Sequence, residues 1–127
     1  MSMLTGKVVA GDGRGRSLGF PTANLEVEGD VRRTVETGVY AAMAVWEEAG
    51  MEHPAVVNVG VRPTFSSGEL AIEAHIIDFA GDLYGKTIQI RTVQKLRDER
   101  RFPSLDTLVE QLGKDVERAR EVIQSTE

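Results

Sequence analysis

Residues 70–79 read LAIEAHIIDF. In an extended strand successive side chains point to opposite faces. On that spacing Ile72, Ala74 and Ile76 share one face, while Ala71, Glu73, His75 and Ile77 share the other. One face is apolar and the other mixed, which predicts a half-buried strand over Leu70–Phe79. Further strand-like stretches lie on both sides of it. They are Leu4–Ala10, Gly38–Trp46 (GVYAAMAVW), His53–Val59 and Lys86–Leu96. Glycine, proline, asparagine and aspartate punctuate the gaps, as strand ends require.

The period changes at the end of the chain. From Ser104 onward the apolar positions are Leu105, Leu108, Val109, Leu112, Val116, Ala119 and Ile123. That spacing marks one face of a helix over about 104–124, with Ser104 after Pro103 as its N-cap. Gly113 falls inside it at a cost of roughly 1 kcal/mol against alanine. Five or more strands without intervening helices, then one helix, make the chain mainly β. A closed antiparallel barrel over about 4–102 is the expected architecture, because closure removes exposed strand edges.

The 127 residues fit one domain, 1–127, and suffice to bury a core without staples. There is no cysteine, so disulfides, thiolate metal sites and a thiol nucleophile are excluded. Residues 1–10, MSMLTGKVVA, lack the apolar run of a signal peptide. No stretch approaches the roughly 18–20 apolar residues of a membrane span, so a cytoplasmic protein with no membrane partner is expected. The net charge of −5 argues against a generic nucleic-acid binder. Two local basic patches stand out, Arg14 with Arg16 and the LRDERRF stretch at 96–102. On an acidic chain these suggest small anionic ligands rather than a long polyanion.

Residues 11–24, GDGRGRSLGFPTAN, hold four glycines and two arginines before Pro-Thr-Ala-Asn. The loop lacks the lysine of a Walker A motif, and its glycine spacing is not that of a Rossmann turn. The physical logic of an anion cradle still applies. Glycines let backbone N–H groups approach an anion, and arginines add forked donors. Thr22 and Asn24 place two hard oxygen donors beside such a cradle. Mg²⁺ takes few protein ligands of this kind when a nucleotide supplies phosphate oxygens. A plain surface loop followed by an ordinary turn would use the same residues.

Glu73 is the carboxylate set among apolar strand residues. It either faces solvent or serves as a general base toward an attacking hydroxyl. His75 points the same way, as a cross-strand neighbour or a support. In LRDERRF, Arg97, Arg100 and Phe102 offer guanidinium planes and a ring to an anion or an aromatic ligand; a charged turn with a core phenylalanine is the plainer alternative.

Taken in order, these pieces resemble the riboflavin kinase family. GDGRGRSLGFPTAN resembles its signature loop, Gly38-Val-Tyr40 its Gly-Val-Tyr strand, and NVGVRPTF its Asn-x-Gly-x-Arg-Pro-Thr turn. IEAHIIDF resembles the strand bearing its catalytic glutamate, and DLYG, LRDERRF and DVERAR follow in register. The resemblance covers roughly Gly6 to Arg120. It implies a six-stranded antiparallel Greek-key β-barrel with a C-terminal α-helix. It also implies transfer of phosphate from ATP to the 5′-hydroxyl of riboflavin's ribityl chain, giving FMN and ADP. By this resemblance Glu73 is the catalytic base, and Thr22 and Asn24 contact Mg²⁺ and phosphate. Gly11, Gly13, Gly15, Arg16 and Thr22 serve the nucleotide, while Arg97, Arg100 and Phe102 lie near the flavin. The chain shows no adenylyltransferase domain, so FMN and not FAD is the expected product, leaving room for such a domain as a partner missing from this chain. A flavin-binding barrel that has lost the kinase reaction is the alternative reading. A barrel for single-stranded nucleic acid ranks below both, because only 6% of the chain is aromatic.

Overall fold

The apolar run GVYAAMAV does not alternate, and the fold explains why. It forms β3, Gly38–Val45, and seven of its eight residues are buried. Tyr40, Ala42 and Ala44 point into a barrel, whereas Val39, Ala41 and Met43 point outward under a helix. A strand covered on both sides has no polar face to show.

The computed structural model describes residues 3–9, 22–27, 35–61, 70–79 and 81–126. Within them run β1 (Met3–Val9), β2 (Ala23–Val27), β3, β4 (His53–Val61), β5 (Leu70–Ile76), β6 (Thr87–Arg97) and α1 (Leu105–Thr126). The strands close into an antiparallel barrel in the order β1-β2-β5-β4-β3-β6. β3, β4 and β5 are successive neighbours, and β2 lies beside β5, which is Greek-key order. The barrel interior is filled by Val57, Val59, Ile72, Ile88 and Ile90, each at most 1% exposed. No described helix is long and apolar enough to cross a membrane.

Five strands fall where the sequence places them, to within three residues at each end. β5 stops at Ile76 instead of Phe79. Asp78 takes a left-handed backbone conformation, φ 58°, which ends the pairing. The sixth strand, β2, is new relative to the sequence reading. In it Ala23, Leu25 and Val27 pack toward the interior, while Asn24 and Glu26 alternate with them.

The helix is capped as expected. The Thr107 N–H donates to Ser104 Oγ at 3.2 Å, and the Ser104 N–H donates to Thr107 Oγ1 at 3.3 Å. Its docking face is narrower than the apolar spacing suggests. Ala119 and Ile123 are buried against β3 and β4, with Val116 and Val122 beside them. Leu105 is 54% exposed and contributes nothing to that core.

Two bulges shape β6. Ala42 pairs with Thr92 but Ala41 with Gln94, and Tyr40 pairs with Lys95 but Val39 with Arg97. The extra residues, Val93 and Leu96, pack into the helix-covered cluster. Each bulge re-aims the strand. Together they bring Arg97, rather than Lys95, opposite Val39.

Candidate active site

Cross-strand register sets the site. Asn24 of β2 stands opposite Glu73 of β5, and Glu73 stands opposite Asn58 of β4. The row continues through Val39 of β3 to Arg97 of β6. Directly opposed residues have Cβ atoms about 4.5–5.5 Å apart. All these side chains point away from the barrel interior, because their strand neighbours fill it. Ile72 and Ala74 flank Glu73, and Val57 and Val59 flank Asn58. Glu73 and His75 therefore share the outward face, as the alternation predicts, and both are half-buried.

Thr22 immediately precedes β2 and is half-buried, so Thr22, Asn24 and Glu73 form one neighbourhood. Gly11, Gly13, Gly15 and Arg16 lie outside the described residues. Among the described residues no group of three or more His, Cys, Asp or Glu could cage a metal ion. The oxygen donors of Thr22 and Asn24 instead match a cation that keeps waters and shares phosphate oxygens.

Asn58 is a candidate site residue that sequence reasoning did not single out. Its Oδ1 is buried and accepts no hydrogen bond. A buried acceptor left unmade costs about 1–3 kcal/mol, so such an atom points to function. An asparagine inside the apolar run AVVNV was the available signal.

Beyond β6 the chain crosses the sheet over two glycines. Gly38 has φ +148°, and a Cβ there would lie 2.6 Å from Lys95 Cε and 3.0 Å from the Arg97 carbonyl oxygen. At Gly60 a Cβ would lie 2.6 Å from Glu99 Oε2 and 2.7 Å from its Cδ. Both glycines thus make room for the LRDE segment to lie flat on the barrel.

Arg97, Arg100 and Phe102 are brought together. The Phe102 ring centroid is 5.6 Å from the Arg97 guanidinium carbon and 4.8 Å from that of Arg100. Both arginines also reach the helix. Arg97 Nε donates to Asp115 Oδ1 at 3.0 Å and its Nη2 donates to Oδ2 at 2.8 Å. Gln111 Nε2 donates to Asp115 Oδ1 at 2.9 Å, and Arg100 Nη2 donates to Gln111 Oε1 at 2.6 Å. Nearby, Lys95 pairs with Asp98 at 2.8 Å and Glu36 at 3.4 Å. The hydrogen bond to Asp98 is the main cause holding the lysine above its usual range. Tyr40 donates to the Glu36 carbonyl at 2.7 Å, and burial pushes its phenol up.

The family model described as flavokinase, riboflavin kinase, matches residues 2–123. The bifunctional riboflavin kinase/FMN adenylyltransferase of Escherichia coli K12 is 43% identical over 123 residues, 93% of this chain and 37% of that protein. The RNA-binding riboflavin kinase RibR of Bacillus subtilis is 39% identical over 117 residues, 91% of this chain and 49% of that protein. Among solved structures, riboflavin kinase from Trypanosoma brucei superposes with a TM-score of 0.71 at 26% identity, covering 96% of this chain and 76% of that one. A Streptococcus pneumoniae structure described as a macrolide-efflux protein superposes with a TM-score of 0.81 at 36% identity, covering 93% and 38%. The chain therefore spans well under half the length of its E. coli relative.

Proposed function

Because the chain belongs to the riboflavin kinase family, we propose that it transfers the γ-phosphoryl group of ATP to the 5′-hydroxyl of riboflavin, giving FMN and ADP. The observation that carries this reading is the row Asn24–Glu73–Asn58 on the outward face. It sets one carboxylate between a phosphate-side amide and a buried acceptor.

Phosphoryl transfer passes through a loose transition state, so positioning and charge neutralisation dominate. Glu73 accepts the proton of the attacking hydroxyl and orients its oxygen toward phosphorus. Thr22 and Asn24 would hold Mg²⁺ and the phosphates next to Glu73. When bound, Mg²⁺ neutralises charge on the phosphate oxygens. Gly11, Gly13, Gly15 and Arg16 are assigned to the phosphates, on composition and family resemblance. Arg97, Arg100 and Phe102 are assigned to the flavin. Of these, Arg97 supports the segment from below through Asp115, and Arg100 with Phe102 offers the more accessible surface.

In this reading 1–127 is a kinase domain. It covers 37% of the E. coli relative, whose name pairs a riboflavin kinase with an FMN adenylyltransferase. The ligands are riboflavin, FMN, ATP and ADP in the cytoplasm. The net charge of −5 supports small ligands over nucleic acid, although the B. subtilis relative is named RNA-binding.

The test is to incubate the purified chain with riboflavin, ATP and Mg²⁺ and to separate the flavins by chromatography. FMN accumulates without FAD. Unchanged riboflavin with folded protein would instead make the barrel a flavin-binding module.

A further inference from the structure

Glu99 occupies an unusual position. Its carboxylate rests on the outward side of Gly60, where a methyl group would stand. It is solvent-exposed, and among the described residues its carboxylate has no hydrogen-bond or ion-pair partner. Two residues back along β4 is Asn58, facing the same way with its buried, unsatisfied Oδ1. Alternate residues on a strand are about 6–7 Å apart, so one small polar group spans the gap. Opposite Gly60 is Ala71, and opposite Asn58 is Glu73. Small residues thus clear a floor, and oxygen acceptors rim it.

What would fill this floor follows from charge. An anion is repelled by the carboxylates, and two cationic groups of β6 are engaged elsewhere. Arg97 is held by Asp115, and Lys95 by Asp98 and Glu36. A caged metal ion is disfavoured, because no acidic or imidazole triad exists among the described residues. A neutral ligand with several hydrogen-bond donors satisfies Glu99 and the Asn58 Oδ1 at once. Order along the sheet adds direction. Thr22 and Asn24 lie on one side of Glu73, and Asn58 and Glu99 lie on the other.

We propose that Glu99 and the Asn58 amide oxygen form an acceptor site for the chain hydroxyls of a polyol, making Glu99 a substrate-binding residue. The proposal rests on the kinase reading above, in which that polyol is riboflavin's ribityl chain. The hydroxyl chain then lies along β4, with its terminal oxygen at Glu73 and the phosphates on the β2 side.

The experiment is flavin binding followed by fluorescence, using wild type, Glu99→Ala, Glu99→Gln and Gly60→Ala. A hydrogen bond to a charged group is worth enough for about a tenfold change in affinity. Glu99→Ala weakens riboflavin binding about tenfold, and Glu99→Gln, which keeps an acceptor, falls between it and wild type. Gly60→Ala displaces the carboxylate and matches Glu99→Ala. Lumiflavin, which has the ring but no polyol, binds all four proteins equally, and MgADP affinity does not move. Unchanged riboflavin affinity in Glu99→Ala overturns the proposal. So does equal weakening of lumiflavin, which assigns Glu99 to the ring. A loss of Mg²⁺ binding measured without nucleotide overturns it in favour of a cation site. Wild-type protein that binds no riboflavin removes the kinase reading itself, a result distinct from these.

Discussion

Asp115 of the helix grips Arg97 of β6 through both carboxylate oxygens, and only 3% of the aspartate side chain is exposed. Breaking a buried pair leaves one charge uncompensated, at a cost of about 3–5 kcal/mol. Arg97 keeps 19% side-chain exposure, so the lower end applies. Asp115→Ala should lose about 3 kcal/mol in denaturant unfolding. It should also weaken flavin binding, because Arg97 and Phe102 lose their anchor on α1. An unchanged midpoint would show that the pair contributes nothing net.

Glu73→Gln keeps the shape of the site and removes the proton acceptor of the proposed transfer. Turnover should fall by roughly 10²–10⁴-fold while MgADP affinity holds. Thr22→Val should give the reverse pattern, with weaker MgADP binding read by calorimetry. Near-normal turnover in Glu73→Gln takes that residue out of the base role.

Gly113 sits within α1, and a Cβ added there meets nothing within 4 Å. Alanine removes the helix penalty of glycine without a clash. Gly113→Ala should stabilise the chain by about 0.5–1 kcal/mol. Thermal unfolding checks this, and a lowered midpoint would mean that the glycine has a packing role.

Arg120 donates to both oxygens of Asp78, at 2.7 and 2.9 Å. These hydrogen bonds hold the Asp78 carboxyl below its ordinary 3.8. A depressed carboxyl adds stability that is complete above the unfolded value and lost as pH falls through the folded one. Asp78→Asn tolerates the left-handed backbone, so it isolates the charge. Wild type should be the more stable near pH 7, and the gap should close below about pH 3.8. Melting curves across that range decide it, and a gap independent of pH contradicts the linkage.

The residues made some of this legible and hid the rest. LAIEAHIIDF announced its own faces because one side is barrel interior and the other is not. β2 carried the same alternation in ANLEV, yet it follows a glycine-rich loop, and five residues with one large apolar side chain look like a turn. Glu73 was visible as a carboxylate out of place. Asn58 was marked only as a polar residue in an apolar run, and the orphaned Oδ1 that singles it out is a property of its surroundings. Arg97, Arg100 and Phe102 are close in sequence, and the structure brings their side chains together. Their engagement by Gln111 and Asp115 depends on helix docking, and no local pattern encodes that. Gly60 was quoted within a turn motif, but the side chain it makes room for lies 39 positions away.

The doubly covered strand β3 limits how this fold can be trimmed. Cutting the chain before Leu105 would leave the barrel's hydrogen bonds intact. It would also bare Val39, Ala41, Met43 and Val56, a continuous oily face. Such a patch invites association between copies. The terminal helix therefore works as a stopper against clumping as much as a support for the site, and the smallest well-behaved version of this barrel includes it.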